Sequence, residues 1–136
     1  RHTFEPTKVR QVVSDQTAAT ISKIMETVIS QGGTGTRAAL DGYAVCGKTG
    51  TAQKLSKEGS YSEDRYIASF VGYVPARNPV ISVLVIINEP QTEYYGGIVA
   101  APVFQTIARQ TMNYLDIPPE SPINQMAASR RKEGKS

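Results

Sequence analysis

The sequence predicts an α+β fold, a three-stranded antiparallel meander flanked by an N-terminal and a C-terminal helix. Two observations carry this. Apolar residues recur with a helical period near both ends and with a strand-like pattern between them. The strand segments are also joined by connections too short for parallel crossovers, which favours antiparallel neighbours. With 136 residues, 40% hydrophobic and 20% charged, the chain has the composition of one soluble globular domain. No internal repeat or second domain is visible.

Residues 1–13 alternate weakly and end in Val12 and Val13, an extended lead-in. Ser14 is then a helix N-cap with Asp15 in the first turn. Ala18, Ile21, Ile24, Met25, Val28 and Ile29 follow at the spacing of one helix face, and Gly32 and Gly33 stop the run. Residues 32–42, holding Thr34, Gly35 and Thr36, have loop composition. From Tyr43 to about Leu55 the β-formers Tyr43, Val45, Thr49 and Thr51 alternate with small residues, a strand interrupted by Gly47 and Gly50.

Residues 56–65 read as a polar loop. A second strand runs from about Tyr66 to Val74, turns through residues 75–79, and returns as Val80 to Asn88, an apolar, β-branched run expected to be covered on both faces. Glu89 to Gly97 is a loop. Pro102 then opens a helix with Val103, Phe104, Ile107, Ala108, Met112 and Leu115 on one side, ended at residues 116–119.

Charge and cysteine content exclude several function classes. The net charge of +3 comes entirely from residues 130–135, so residues 1–128 are neutral and present no basic face for nucleic acid. The excess sits in a proline-containing tail read as a flexible, solvated end, residues 121–136. The single Cys46 excludes an internal disulfide and any site of several thiolates; on a strand beside Val45 and Gly47 it reads as a small buried hydrophobe. The longest nearly unbroken apolar run, Val80 to Ile87, is far short of the roughly 20 residues a membrane helix needs. Arg1 follows no initiator Met and no leader, so the chain reads as a fragment or processed product whose anchor or signal lies elsewhere. No metal or cofactor is expected.

Two chemistries compete for residues 42–49, which satisfy the phosphate-loop pattern G-x-x-x-x-G-K-[ST]. That loop needs an amide-rich cradle and a helix start facing the anion, yet Tyr43 to Cys46 favour strand and no helical stripe follows Thr49. The other reading places Lys48, Thr49, Gly50 and Thr51 on a strand at a pocket rim. There the ammonium and the hydroxyls attract a carboxylate, and Gly50 admits a ligand close to the backbone. If the strand is an edge, its free amides also serve a peptide or a developing oxyanion. A bare K-T-G tripeptide reads equally as a surface lysine beside a bulge glycine.

The surroundings go further. Residues 47–54 (GKTGTAQK), 68–76 (ASFVGYVPA), 88–90 (NEP), 94–97 (YYGG) and 101–104 (APVF) resemble the C-terminal part of class B penicillin-binding proteins, of the cell-division D,D-transpeptidase type. The resemblance spans about residues 5–119 and implies a partial penicillin-binding/β-lactamase-like fold over residues 1–120. It implies that Lys48 supports proton transfer and substrate charge, and that Thr49 and Thr51 bind the substrate carboxylate beside Gly50. It further implies that the Thr51 N–H is an oxyanion donor and that Tyr66, Tyr94 and Tyr95 wall the pocket. Asn88 replaces an Asp often seen before Glu-Pro, and Gln53 stands where some relatives have Arg.

The implied partners are a peptidoglycan stem peptide ending in D-Ala-D-Ala, β-lactams in the intact parent, and the remainder of the transpeptidase domain, on the extracytoplasmic side of a bacterial membrane. The family's nucleophile comes from S-x-x-K and S-x-N motifs upstream of K-T-G. This chain has no S-x-N, and its sole S-x-x-K match, Ser129 to Lys132, lies in the basic tail. Ser69, Ser82 and His2 have no companions for a triad. The expectation is one wall of a transpeptidase site, inactive alone, with strand 80–88 left to self-associate or to pair with a companion chain. The alternatives are a non-catalytic interaction module of the same fold and, further off, a nucleotide binder.

Overall fold

A computed structural model describes residues 7–56 and 59–120. The tail at residues 121–136, with its Ser129 to Lys132 match, and His2 lie outside the described residues. Helix α1 spans Asp15–Thr27, strands β1, β2 and β3 span Cys46–Leu55, Tyr61–Val74 and Ile81–Asn88, and helices α2 and α3 span Gly96–Val99 and Ala101–Tyr114. The strands form one antiparallel sheet in the order β1-β2-β3, the meander expected from the short connections.

Local chemistry sets the helix ends. The Ser14 hydroxyl accepts from the Thr17 N–H at 3.1 Å, the N-cap read from the sequence. α1 ends before the two glycines expected to stop it: Thr27 is its last residue, Val28 caps it in a right-handed conformation, and Gly32, at φ 86°, takes a left-handed turn further along the loop. Pro102 sits in the first turn of α3, where its missing N–H costs nothing. Two short helical turns were not anticipated, α2 and a 3-10 turn at Thr36–Ala38, each too short to carry a period of its own.

Antiparallel pairing puts opposed residues on the same face, so the register divides the sheet. Thr49, Phe70 and Val85 are successive partners across the three strands, as are Gly47, Gly72 and Val83. This face meets α3: the Phe70 and Phe104 rings lie 4.9 Å apart at 56°, both fully buried, among Val74, Val85, Ala101, Ala108 and Met112. Losing either ring would cost about 3–5 kcal/mol by the usual scale of core aromatic truncation.

The opposite face carries Lys48, Val71 and Leu84 in one row and Gly50, Ser69 and Ile86 in the next. Here the expectation that Val80 to Asn88 is covered on both faces fails within the chain. Leu84 and Ile86 are each 60% exposed and Val71 40%, because α1 reaches only the end of this face near Cys46 and Tyr73. The apolar stripe of α1 is likewise divided: Met25, Val28 and Ile29 are half-buried, while Ile21 and Ile24 face outward.

Two strand boundaries also differ. β1 begins at Cys46, because Tyr43 and Ala44 are occupied elsewhere: the Tyr43 hydroxyl donates to Ile117 O at 2.7 Å and the Ala44 N–H to Glu120 Oε2 at 2.9 Å. β2 begins at Tyr61, inside the stretch read as a polar loop. Tyr61 pairs with Leu55, and Ser62, though polar, is buried by bonds with Asp64 and Arg65.

Candidate active site

Lys48, Thr49, Gly50 and Thr51 lie in the middle of β1, an edge strand whose sole neighbour among the described residues is β2. The phosphate-loop reading is overturned by this geometry. Residues 46–55 form a continuous strand, so no helix N-terminus follows Thr49 to face a phosphate.

On a strand Lys48 points to one face and the two threonines to the other. They nevertheless gather at one border. The exposed Lys48 side chain folds back so that Nζ donates to the Thr49 carbonyl at 2.7 Å. Thr49 Oγ1 lies 3.0 Å from Thr34 Oγ1, and Thr51 Oγ1 accepts from the Gly96 N–H at 3.3 Å. A cleft of about 270 Å³ opens there, lined by Thr34, Thr49, Thr51, Tyr95 and residues 96–98.

Sequence reasoning missed Thr34, treating residues 32–42 as loop. Its position is built by close backbone approach. Gly35 N–H donates to Val28 O at 2.9 Å, and Arg37 Nη1 reaches Ile98 O at 3.3 Å, tying this loop to α2. A Cβ at Gly97 would collide with the Thr34 carbonyl, and one at Gly96 with the carbonyls of Ser69 and Gly50. Glycine at both positions lets α2 lie directly on the loop and on β1. The signal available in the sequence was the pairing of two glycine-rich stretches, residues 32–35 and 96–97, but nothing in one dimension joins them.

The three tyrosines singled out come together. Tyr66 and Tyr94 stack with centroids 4.2 Å apart, and Tyr94 and Tyr95 lie 4.5 Å apart. The Tyr94 hydroxyl donates to that of Tyr95 at 3.3 Å, a bond that raises the Tyr94 pKa above its ordinary value. Beyond them Lys54 pairs with Glu89 and donates to Asn88 Oδ1 at 3.1 Å, holding the Glu89 carboxyl below its usual range. Glu89 also takes a left-handed backbone, φ 51°, where β3 ends and the tyrosine loop departs. Among the described residues no His, Cys, Asp and Glu side chains cluster as metal ligands.

The arrangement, an ammonium, two hydroxyls and an open strand edge, suits an extended substrate carrying a carboxylate. Comparison with known proteins decides the family. The model described as the penicillin binding protein transpeptidase domain matches residues 2–109. The chain belongs to this family. A relative from Neisseria flavescens, named as a probable peptidoglycan D,D-transpeptidase PenA, is 40% identical over 121 residues, covering 88% of this chain and 30% of that protein.

The peptidoglycan D,D-transpeptidase FtsI of Escherichia coli K12 is 38% identical over 117 residues, covering 85% of this chain and 20% of that protein. The transpeptidase domain of penicillin-binding protein 3 from Burkholderia pseudomallei superposes with a TM-score of 0.77 at 41% identity, over 87% of this chain and 36% of that one. Penicillin-binding protein 3 of Mycobacterium tuberculosis, solved with ampicillin, gives 0.72 at 35% identity, over 82% of this chain and 28% of that one. The chain therefore spans roughly a fifth to a third of the length of these relatives. No helix of the described residues is long and apolar enough to cross a membrane.

Cys46 stands beside the motif but is fully buried, its Sγ donating to Ser22 O at 3.2 Å. Burial first, and the nearby Glu26 charge, push the thiol above its ordinary pKa, against a hydrogen bond with Tyr73. At pH 8 the folded thiol therefore holds less thiolate than a free cysteine, and its alkylation by iodoacetamide should run at least about tenfold slower than in the urea-unfolded chain. Equal rates in the two states would mean that the thiol is accessible.

Proposed function

We propose that the chain forms one wall of a peptidoglycan D,D-transpeptidase site, whose serine nucleophile and its activating base come from polypeptide outside residues 1–136. The observation that carries this is the open outer edge of β1, with Lys48, Thr49 and Thr51 gathered along it. A stem peptide ending in D-Ala-D-Ala lies along that edge as an added strand, its carboxylate on the two hydroxyls. The serine Oγ attacks the penultimate D-Ala carbonyl, the terminal D-Ala leaves with a proton as the free amino acid, and the resulting ester passes to an acceptor amine, which restores the serine. β-Lactams enter as acylating mimics of the same peptide.

Lys48 supports the proton transfers and the substrate charge. The Thr51 N–H is one oxyanion donor, an interaction of a kind worth about 10²–10³ in rate. Support for that assignment comes from Thr49, whose carbonyl accepts from Lys48 Nζ at 2.7 Å. In an antiparallel strand the N–H and C=O of one residue point the same way and the pattern repeats every second residue, so a Thr49 carbonyl at the open edge implies a Thr51 N–H there too. Tyr66, Tyr94 and Tyr95 wall the far end of the pocket.

The rest of the domain covers the face holding Lys48, where Val71, Leu84 and Ile86 are exposed, and pairs with the free edge of β3. On this reading the intact protein works on the extracytoplasmic face of a bacterial membrane, where its substrate lies.

Fluorescent penicillin tests the assignment. The intact protein should be labelled on serine, Lys48→Ala should slow labelling by about 10²-fold or more, and residues 1–136 alone should remain unlabelled. Undiminished labelling of the lysine variant would remove Lys48 from the mechanism. An intact protein that never labels would favour the non-catalytic module. The isolated chain, with its free β3 edge and bare apolar face, should also sediment as dimers or larger species at tens of micromolar, and Leu84→Lys with Ile86→Lys should return it to monomer; a monomeric unmodified chain would show that this edge needs no partner.

A further inference from the structure

Thr49 and Thr51 each carry a single hydroxyl proton, and a carboxylate is an acceptor only. Each hydroxyl binds the anion best when its proton points to the cleft and a donor behind it fills its own lone pair. Thr51 has such a donor, the Gly96 N–H at 3.3 Å. Thr49 has one candidate, the Thr34 hydroxyl at 3.0 Å, a pair in which either oxygen can be the donor. With an anion in the cleft one direction alone keeps both bonds: Thr34 donates to Thr49, and Thr49 donates to the carboxylate.

We propose that Thr34 is a positioning residue for substrate recognition, its hydroxyl acting with the Gly96 N–H to turn the Thr49 and Thr51 protons toward the carboxylate. The chain of hydroxyls also polarises the terminal donor, since each bond strengthens the next. The backbone is built for the purpose: Gly97 meets the Thr34 carbonyl so closely that no Cβ fits, Arg37 anchors the same loop to Ile98 O at 3.3 Å, and Thr34 lines the cleft with Thr49 and Thr51. This proposal deepens the transpeptidase reading and rests on it.

The test uses the intact protein and two probes, a fluorescent penicillin and its carboxyl methyl ester, comparing their second-order acylation rates. Thr34→Val should slow acylation by the acid about three- to tenfold, through weaker binding and not through the rate at saturation, while leaving the ester unchanged. Thr34→Ser should restore the acid rate. Wild-type acylation of Thr34→Val by the acid would overturn the proposal. So would an equal loss on acid and ester shared by Thr34→Ser, which would assign the side chain to packing. If the wild-type protein reacts with neither probe, the transpeptidase reading fails and this proposal with it, a result distinct from a reactive wild type with an indifferent variant.

Discussion

The outer edge of β1 is the constraint from which the rest of the site follows. A strand in the interior of a sheet spends its amides and carbonyls on two neighbours; among the described residues β1 has one neighbouring strand, β2. A row of fixed backbone donors and acceptors is thereby left along Lys48 to Thr51, already extended and already spaced for a peptide. Holding such an edge open is hazardous, because it also invites another copy of the chain. Here it is flanked by Lys48, the polar Thr34 loop and the start of α2, which narrow what can approach it.

Rigidity at this edge comes from the other side of the strand. Gly47 and Gly72 let Phe70 and Phe104 press into the sheet, and a Cβ at Gly47 would run into the Phe70 ring. Two further glycines, Gly96 and Gly97, let α2 and the Thr34 loop close against β1 without a side chain between them. Small residues thus serve opposite ends of one purpose: the core draws the strand in, and the close contacts of α2 bring hydroxyls and an amide up behind the threonines. A proposed anion site made this way needs little rearrangement when its ligand arrives, which is the usual route to strong recognition by modest groups.

What could be read from the sequence was what is encoded locally. Ser14 announces its cap, Pro102 its helix start, and the alternation around Lys48 its strand, because each depends on residues within a few positions. The apolar run Val80 to Ile87 was read correctly as a strand, but its coverage was not: the run has the composition of a strand buried on both faces, whereas the described residues cover one. Tyr61 to Arg65 escaped notice because their strand is held by Leu55 and by the Ser62, Asp64 and Arg65 bonds, with no apolar alternation to mark it. Thr34 escaped for a different reason. Its neighbours Thr49 and Gly97 are 15 and 63 positions away, and only folding reveals that the three share one small space. Fold and motif were therefore legible, and the groups standing behind the motif were not.

The most direct measurement is a crystal structure of the intact transpeptidase domain acylated by a penicillin. The drug should lie along the outer edge of β1, its carboxylate within hydrogen-bond reach of Thr49 Oγ1 and Thr51 Oγ1, and its acyl oxygen on the Thr51 N–H. A drug bound away from β1, or a β1 edge occupied by another strand of the same domain, would contradict an open substrate edge at Lys48 to Thr51.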